Sequence, residues 1–119
     1  MERVRFIEHK QQSILLIDFS RCSTQEMMSV LADVQAIVTT HPRDSVLTLA
    51  DFTGAQIDKD VAKRMKEVLV FDRPYVKRSA WVGTESLPQV FYEGFKQFSQ
   101  RDFPRFASRE EAMDWLVRE

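Results

Sequence analysis

The sequence predicts an α/β domain: a mixed, mostly parallel sheet of four to five strands, with an N-terminal antiparallel hairpin and about four helices. Three observations lead there. Apolar runs of strand length alternate with segments whose apolar residues recur every three or four positions. Two Ser-x-x-Glu stretches, Ser23 to Glu26 and Ser108 to Glu111, match the capping box that opens a helix. Ile14-Leu15-Leu16-Ile17-Asp18-Phe19 is an apolar run of the kind found in strands covered on both faces, as parallel sheets require.

Each element follows in order. Arg3 to Glu8 alternates, with Val4 and Phe6 on one side, and reads as the first strand before Ile14 to Phe19. The polar turn His9-Lys10-Gln11-Gln12-Ser13 joins the two as a hairpin, without the glycine or asparagine that favours a tight turn. Ser23 then opens a helix in which Met27, Val30, Leu31, Val34, Ile37 and Val38 form one stripe, ended by His41-Pro42. Ser45 to Ala50 is a strand leading into Asp51-Phe52-Thr53-Gly54. Ile57, Val61, Met65, Val68 and Leu69 define a second helix, capped by Asp58 and closed before Arg73-Pro74. Tyr75 to Val82 is the next strand. After Gly83, the residues Leu87, Phe91, Phe95 and Phe98 mark a third helix, with its cap at Thr84 or Ser86 and Pro88 in the first turn. A short strand at Arg105-Phe106-Ala107 precedes a last helix carrying Ala112, Trp115 and Leu116. Strands joined through helices pair in parallel by right-handed crossovers, which leaves the antiparallel strand at or near an edge. One domain spans residues 1–119, with no linker, low-complexity stretch or repeat.

Charge and composition remove several function classes. With 17 basic and 18 acidic side chains the net charge is -1, without the basic excess of a protein that binds nucleic acid. A single cysteine, Cys22, and two histidines provide neither an intrachain disulfide nor a Cys and His zinc set, so no metal is expected. No cofactor is expected either: the chain has three glycines, no phosphate loop and no dinucleotide fingerprint. Because no nucleophile and base fall on neighbouring loops, the expectation is a protein that is not an enzyme. The N-terminal residues lack a signal peptide's apolar run, and nowhere do about 18 apolar residues follow one another. A cytoplasmic protein without an integral membrane segment is therefore expected.

Parallel sheets bind at the loops beyond the carboxyl ends of their strands, here Ser20 to Ser23, Asp51 to Gln56, Gly83 to Ser86 and Ala107 to Ser108. Asp51, Phe52, Thr53 and Gly54 form the most informative of these. Either Asp51 and Thr53 satisfy turn amides while Phe52 packs inward, or the loop presents them to a partner. Asp58 and Asp60 carry the same ambiguity, because acidic residues in a first helical turn already suit the helix dipole. A basic set, Arg73, Lys77, Arg78, Arg101, Arg105 and Arg109, is either a solvated face or a weak site for an anion or acidic partner. Trp81, Phe91, Phe95 and Phe98 are either core or the lining of an apolar pocket. Acidic groups around Asp51, Asp58 and Asp60 and basic ones from Arg73 to Arg109 suggest two faces of opposite sign.

Taken in order, these segments resemble the SpoIIAA-like family of the STAS superfamily, which is related in fold to CRAL-TRIO lipid-transfer domains. The resemblance spans nearly the whole chain. It rests on Ile14 to Phe19 after a short first strand, Leu47 to Gly54 before the second helix, and Arg73-Pro74-Tyr75-Val76-Lys77. Val82-Gly83 before the third helix and the tail from Phe106 to Leu116 complete it. It implies a small bacterial regulatory domain that binds a protein or a ligand without a cofactor. In the anti-sigma antagonists of that superfamily, a serine within Asp-Ser-Ser-Gly at the second helix is phosphorylated by a partner kinase. The corresponding stretch here, Ile57-Asp58-Lys59-Asp60-Val61, has no hydroxyl, so that switch does not carry over. The expectation is a non-catalytic module, monomeric or weakly homodimeric, that docks a protein partner or itself through Asp51 to Val61. The alternative is a binder of a lipid or other apolar small molecule in an aromatic-lined pocket.

Overall fold

The computed structural model describes residues 2–118. Its elements are β1 (Val4–His9), β2 (Gln12–Asp18), α1 (Thr24–Val38), β3 (Val46–Asp51), α2 (Lys59–Asp72), β4 (Val76–Val82), α3 (Gln89–Ser99), β5 (Arg105–Phe106) and α4 (Arg109–Leu116). A 3-10 turn at Thr84–Ser86 precedes α3. The five strands lie in the order β1-β2-β3-β4-β5, with β1 antiparallel to β2 and every other neighbour parallel. Spatial order thus equals chain order, so crossovers of one hand put α1, α2 and α3 on the same face. α4 follows the last strand and closes the opposite face.

That arrangement explains the continuous apolar runs. Leu15, Ile17, Val46, Ala50 and Trp81 point to the three-helix side, whereas Ile14, Leu16, Leu47, Leu49, Ala80 and Val82 point to α4. β3 is the middle strand and is buried at every position, because both faces and both edges are covered. No helix among the described residues is long and apolar enough to cross a membrane.

Local signals set most helix starts. Ser23 Oγ accepts from the Glu26 amide at 3.2 Å, and the Glu26 carboxylate accepts in return from the Ser23 amide at 3.0 Å. Asp58 caps α2 through the Val61 amide at 2.8 Å, and Ser108 caps α4 through the Glu111 amide at 3.2 Å. Two expectations change. Neither Thr84 nor Ser86 caps α3, whose N-cap is Pro88 with no side-chain bond. The Ser86 hydroxyl instead accepts from the Gly54 amide at 2.8 Å, tying together the loops after β3 and β4. The hairpin turns on two residues alone, Lys10 and Gln11, with φ of 50° and 68°. Asparagine and glycine usually fill such a turn. Here the pairing of β1 with β2 and the contacts of His9 and Lys10 with Asp114 of α4, at 2.7 and 3.0 Å, offset the strained backbone.

Candidate functional site

β2 and β3 end in the same way, in Asp18-Phe19-Ser20 and Asp51-Phe52-Thr53. Asp18 and Asp51 are partners in the parallel register. Asp18 Oδ1 accepts from the Ser20 amide at 3.0 Å and the Ser20 hydroxyl at 2.5 Å; Asp51 Oδ1 accepts from the Thr53 amide at 2.9 Å and the Thr53 hydroxyl at 2.7 Å. Each aspartate therefore closes its own turn. The two phenylalanines between them are buried and stack with ring centroids 5.0 Å apart.

Carboxylates on adjacent strand ends repel each other unless a cation lies between them. Arg109, the first residue of α4, supplies it: Nε donates to Asp51 Oδ2 at 2.8 Å, and the guanidinium reaches Asp18 Oδ1 at 3.5 Å. Burial pushes the Asp51 carboxyl up, but the bonds from Thr53 and Arg109 outweigh it and hold the group below its ordinary value. A carboxyl depressed in the folded state stabilises the fold above its unfolded value, and that contribution is lost as pH falls through the folded one. Arg109→Met is accordingly expected to lower stability by about 1–2 kcal/mol at pH 7, discounted because the arginine is partly exposed. Urea titrations at pH 7 and pH 3.5 check this. The deficit should shrink at the lower pH, and a deficit equal at both would show that Arg109 acts only through packing.

The outer part of the β3–α2 loop is exposed at Thr53, Gly54, Gln56 and Asp58, as is Asp60 in the first turn of α2. Its backbone is nevertheless fixed. Arg21 N donates to Thr53 O at 2.8 Å and Gln56 N to Cys22 O at 3.0 Å; the Gly54 amide is held by Ser86. Gly54 turns the chain at φ 69°. Of the six residues expected at this site, Asp51 and Phe52 are buried and hold the loop from within, and Asp58 caps α2. Thr53 is exposed although its hydroxyl is engaged by Asp51. Asp60 makes no side-chain hydrogen bond or ion pair among the described residues, and its carboxylate is exposed.

The basic set divides: Arg73, Lys77, Arg78 and Arg101 line one groove of about 350 Å³, and Arg105 and Arg109 lie outside it. Arg109 joins Asp51, so the two expected charge clusters interlock. Arg78 donates to the carbonyls of Trp115, Leu116 and Arg118 at the end of α4. Arg105 stacks over the Tyr92 ring at 4.1 Å. Arg101 lies inside, donating to Leu69 O at 2.9 Å and Ser79 Oγ at 2.8 Å. Cys22 is buried as well, and burial raises its thiol above the ordinary value, opposite to what an activated thiolate needs.

The aromatic residues also divide. Trp81 stacks on Phe103 at 4.3 Å and meets Phe52 at 4.7 Å and Phe95 at 6.2 Å, all within the core. Phe91 and Phe98 line an external groove between α2 and α3. Trp81, Phe91, Phe95 and Phe98 therefore enclose no shared pocket. The cavity beside Trp81 measures about 40 Å³, well below the roughly 300–1,000 Å³ of a small-molecule site. Its polar end carries the Thr48 and Ser79 hydroxyls, 2.7 Å apart, with Arg101 and Asp72. Asp72 Oδ1 is buried and accepts no hydrogen bond from the described residues. Burial pushes this carboxyl up to about 6 against the pull of Arg101 and Arg64, and burial likewise brings Arg101 down to about 10.

Sequence reasoning missed Asp18 and Asp72, and named Arg101 only as one of the basic set, not as a buried neighbour of Asp72. The repeated Asp-Phe-Ser and Asp-Phe-Thr strand ends were a signal for Asp18. Nothing local marks Asp72. No family model matches the chain, and neither a curated protein nor a solved structure matches it.

Proposed function

We propose that this chain is a non-catalytic binding domain of a regulatory kind that docks a protein partner through the loop and helix from Asp51 to Val61. The observation that carries the reading is one segment combining exposed side chains with a backbone tied to two neighbouring segments, the loops after β2 and β4. A surface already held in one conformation loses little entropy on docking. Its place at the carboxyl end of the central parallel strand is where such sheets bind, and the resemblance to SpoIIAA-like proteins supports the same reading. Phosphorylation does not regulate the start of α2 in this proposal, because Ile57 to Val61 carries no hydroxyl.

Asp60→Lys tests the reading, since it reverses a free surface charge without touching the cap. The tagged full chain and the variant are compared by affinity purification with quantitative mass spectrometry. Retention of a defined set of proteins held by the wild type should change by roughly tenfold or more on the variant, the equivalent of about 1.4 kcal/mol. Equal retention by two proteins of the same thermal stability would overturn the proposal.

A further inference from the structure

Lys59, Lys63 and Lys66 follow one another along α2 at intervals of four and three residues, which aligns them on a stripe about 10 Å long. This stripe is distinct from the core-facing one of Val61, Met65 and Val68. On α3, Phe91 and Phe98 are seven residues apart and share a side. The five residues, with Glu67, line a groove of about 460 Å³. Phe98 is 58% exposed, and the Lys66 ammonium stands 5.8 Å from its ring centroid. Among the described residues none of the three lysines forms an ion pair, whereas Glu67 is already countered by Arg64 at 3.8 Å. The groove thus combines an apolar wall with three uncompensated cations.

We propose that this groove is the docking site for an acidic amphipathic helix of a partner protein. Carboxylates of that helix pair with Lys59, Lys63 and Lys66, while its apolar side chains cover Phe91 and Phe98. The inference rests on the docking reading above, since the first turn of α2 belongs to both, and it names the partner's chemistry. An incoming helix with carboxylates at the same four- and three-residue spacing matches the lysine stripe turn for turn. A second copy of this chain fits poorly, because a two-fold contact here would face one lysine triplet with another. A bilayer fits poorly as well: the lysines and the two phenylalanines line a groove between α2 and α3, which a single helix can enter and a flat surface cannot.

Fluorescence anisotropy with three probes tests the proposal on the full chain. The first is a labelled peptide of about 15 residues, long enough for helix formation, patterned from Glu, Leu, Trp and Ala. The second carries Lys in place of each Glu, and the third is a phosphatidylserine and phosphatidylcholine vesicle. The acidic peptide should bind and weaken as salt rises. Lys63→Glu with Lys66→Glu should weaken it by roughly tenfold or more and flatten the salt dependence; Phe98→Ser should weaken it by a similar factor with that dependence unchanged. No binding of the acidic peptide, affinity untouched by both variants, or a preference for the vesicle would each overturn the groove. Circular dichroism and thermal melting establish that the variants fold. If the peptide fails while Asp60→Lys still alters retention of the wild-type partner set, the groove falls and the docking loop stands. If both fail, both fall.

Discussion

Replacing Gly83 with alanine is expected to destabilise the fold by about 3 kcal/mol, the sum of a strained left-handed backbone and an overpacked contact. Gly83 has φ 67° at the carboxyl end of β4, a region that a side chain adopts at a cost. A Cβ there would stand 2.5 Å from the Thr53 amide nitrogen and 2.9 Å from Asp51 Oδ1, and closer still to the Thr53 hydroxyl. None of these atoms can retreat without opening the turn that Asp51 closes. Gly83 is thus part of the same lock as Asp51, Thr53 and Arg109. Gly54→Ala is the control: its φ is similar, but its nearest neighbour is the flexible Arg21 Cγ at 3.3 Å, so only about 1 kcal/mol is expected. Urea denaturation of both variants decides the matter. A Gly83→Ala loss no larger than that of Gly54→Ala would mean that the Asp51 turn yields freely.

Asp72→Asn is expected to stabilise the protein, and to do so increasingly as the pH rises. The carboxyl ends α2, where helix carbonyls disfavour negative charge, and it is buried with an unpartnered oxygen. Its value of about 6 in the folded state exceeds its ordinary 3.8, so the folded protein binds this proton more tightly than the unfolded one. Such a group contributes stability that is present below the unfolded value and lost as pH rises through the folded one. The asparagine variant, which has no proton to lose, should therefore be about 3 kcal/mol more stable than the wild type at pH 8 and nearly equal to it at pH 4. Paired denaturation curves across that range measure the difference directly, and a constant difference would refute the assignment of a raised carboxyl. Arg101 stays held by Leu69 O and Ser79 Oγ in either protein, so its position is not at stake.

A buried carboxyl that opposes folding near neutrality lies behind the middle of the sheet, away from the docking loop. The loop itself is secured from the other side, by Arg109 of α4 reaching across to Asp51. The two faces of the sheet therefore do different work. The three-helix face carries both α2 and the groove, while the α4 face fixes the strand ends from which the loop to α2 departs.

Much of this fold is legible in the sequence because its causes are local. Capping boxes act over three residues, helix stripes over three or four, and strand alternation over two. Ser23, Asp58 and Ser108 accordingly stand where their sequence context puts them. Where the local rule was ambiguous, the neighbours decided. Ser86 looked like a cap and became the anchor of Gly54, because the loops after β3 and β4 lie side by side. Lys10 and Gln11 adopt left-handed conformations because strand pairing demands a two-residue turn there. The phenylalanines of α3 carry one periodic signal, yet Phe95 is core and Phe98 is surface, since a stripe's width does not tell which of its edges a neighbouring helix covers.

The fold class, the succession of elements, the capped helix starts and the loop at Asp51 are all written in the order of the residues. The strand order, the division of helices between the two faces, and the contacts that give the loop its rigidity emerge only from the folded chain. Arg109 meets Asp51 from 58 residues away, and the lysines of α2 frame a groove only because α3 lies against them. Backbone propensity and hydrophobic period are read within one turn or one strand. Contacts between distant residues depend on how the whole chain closes on itself, and no local pattern records that.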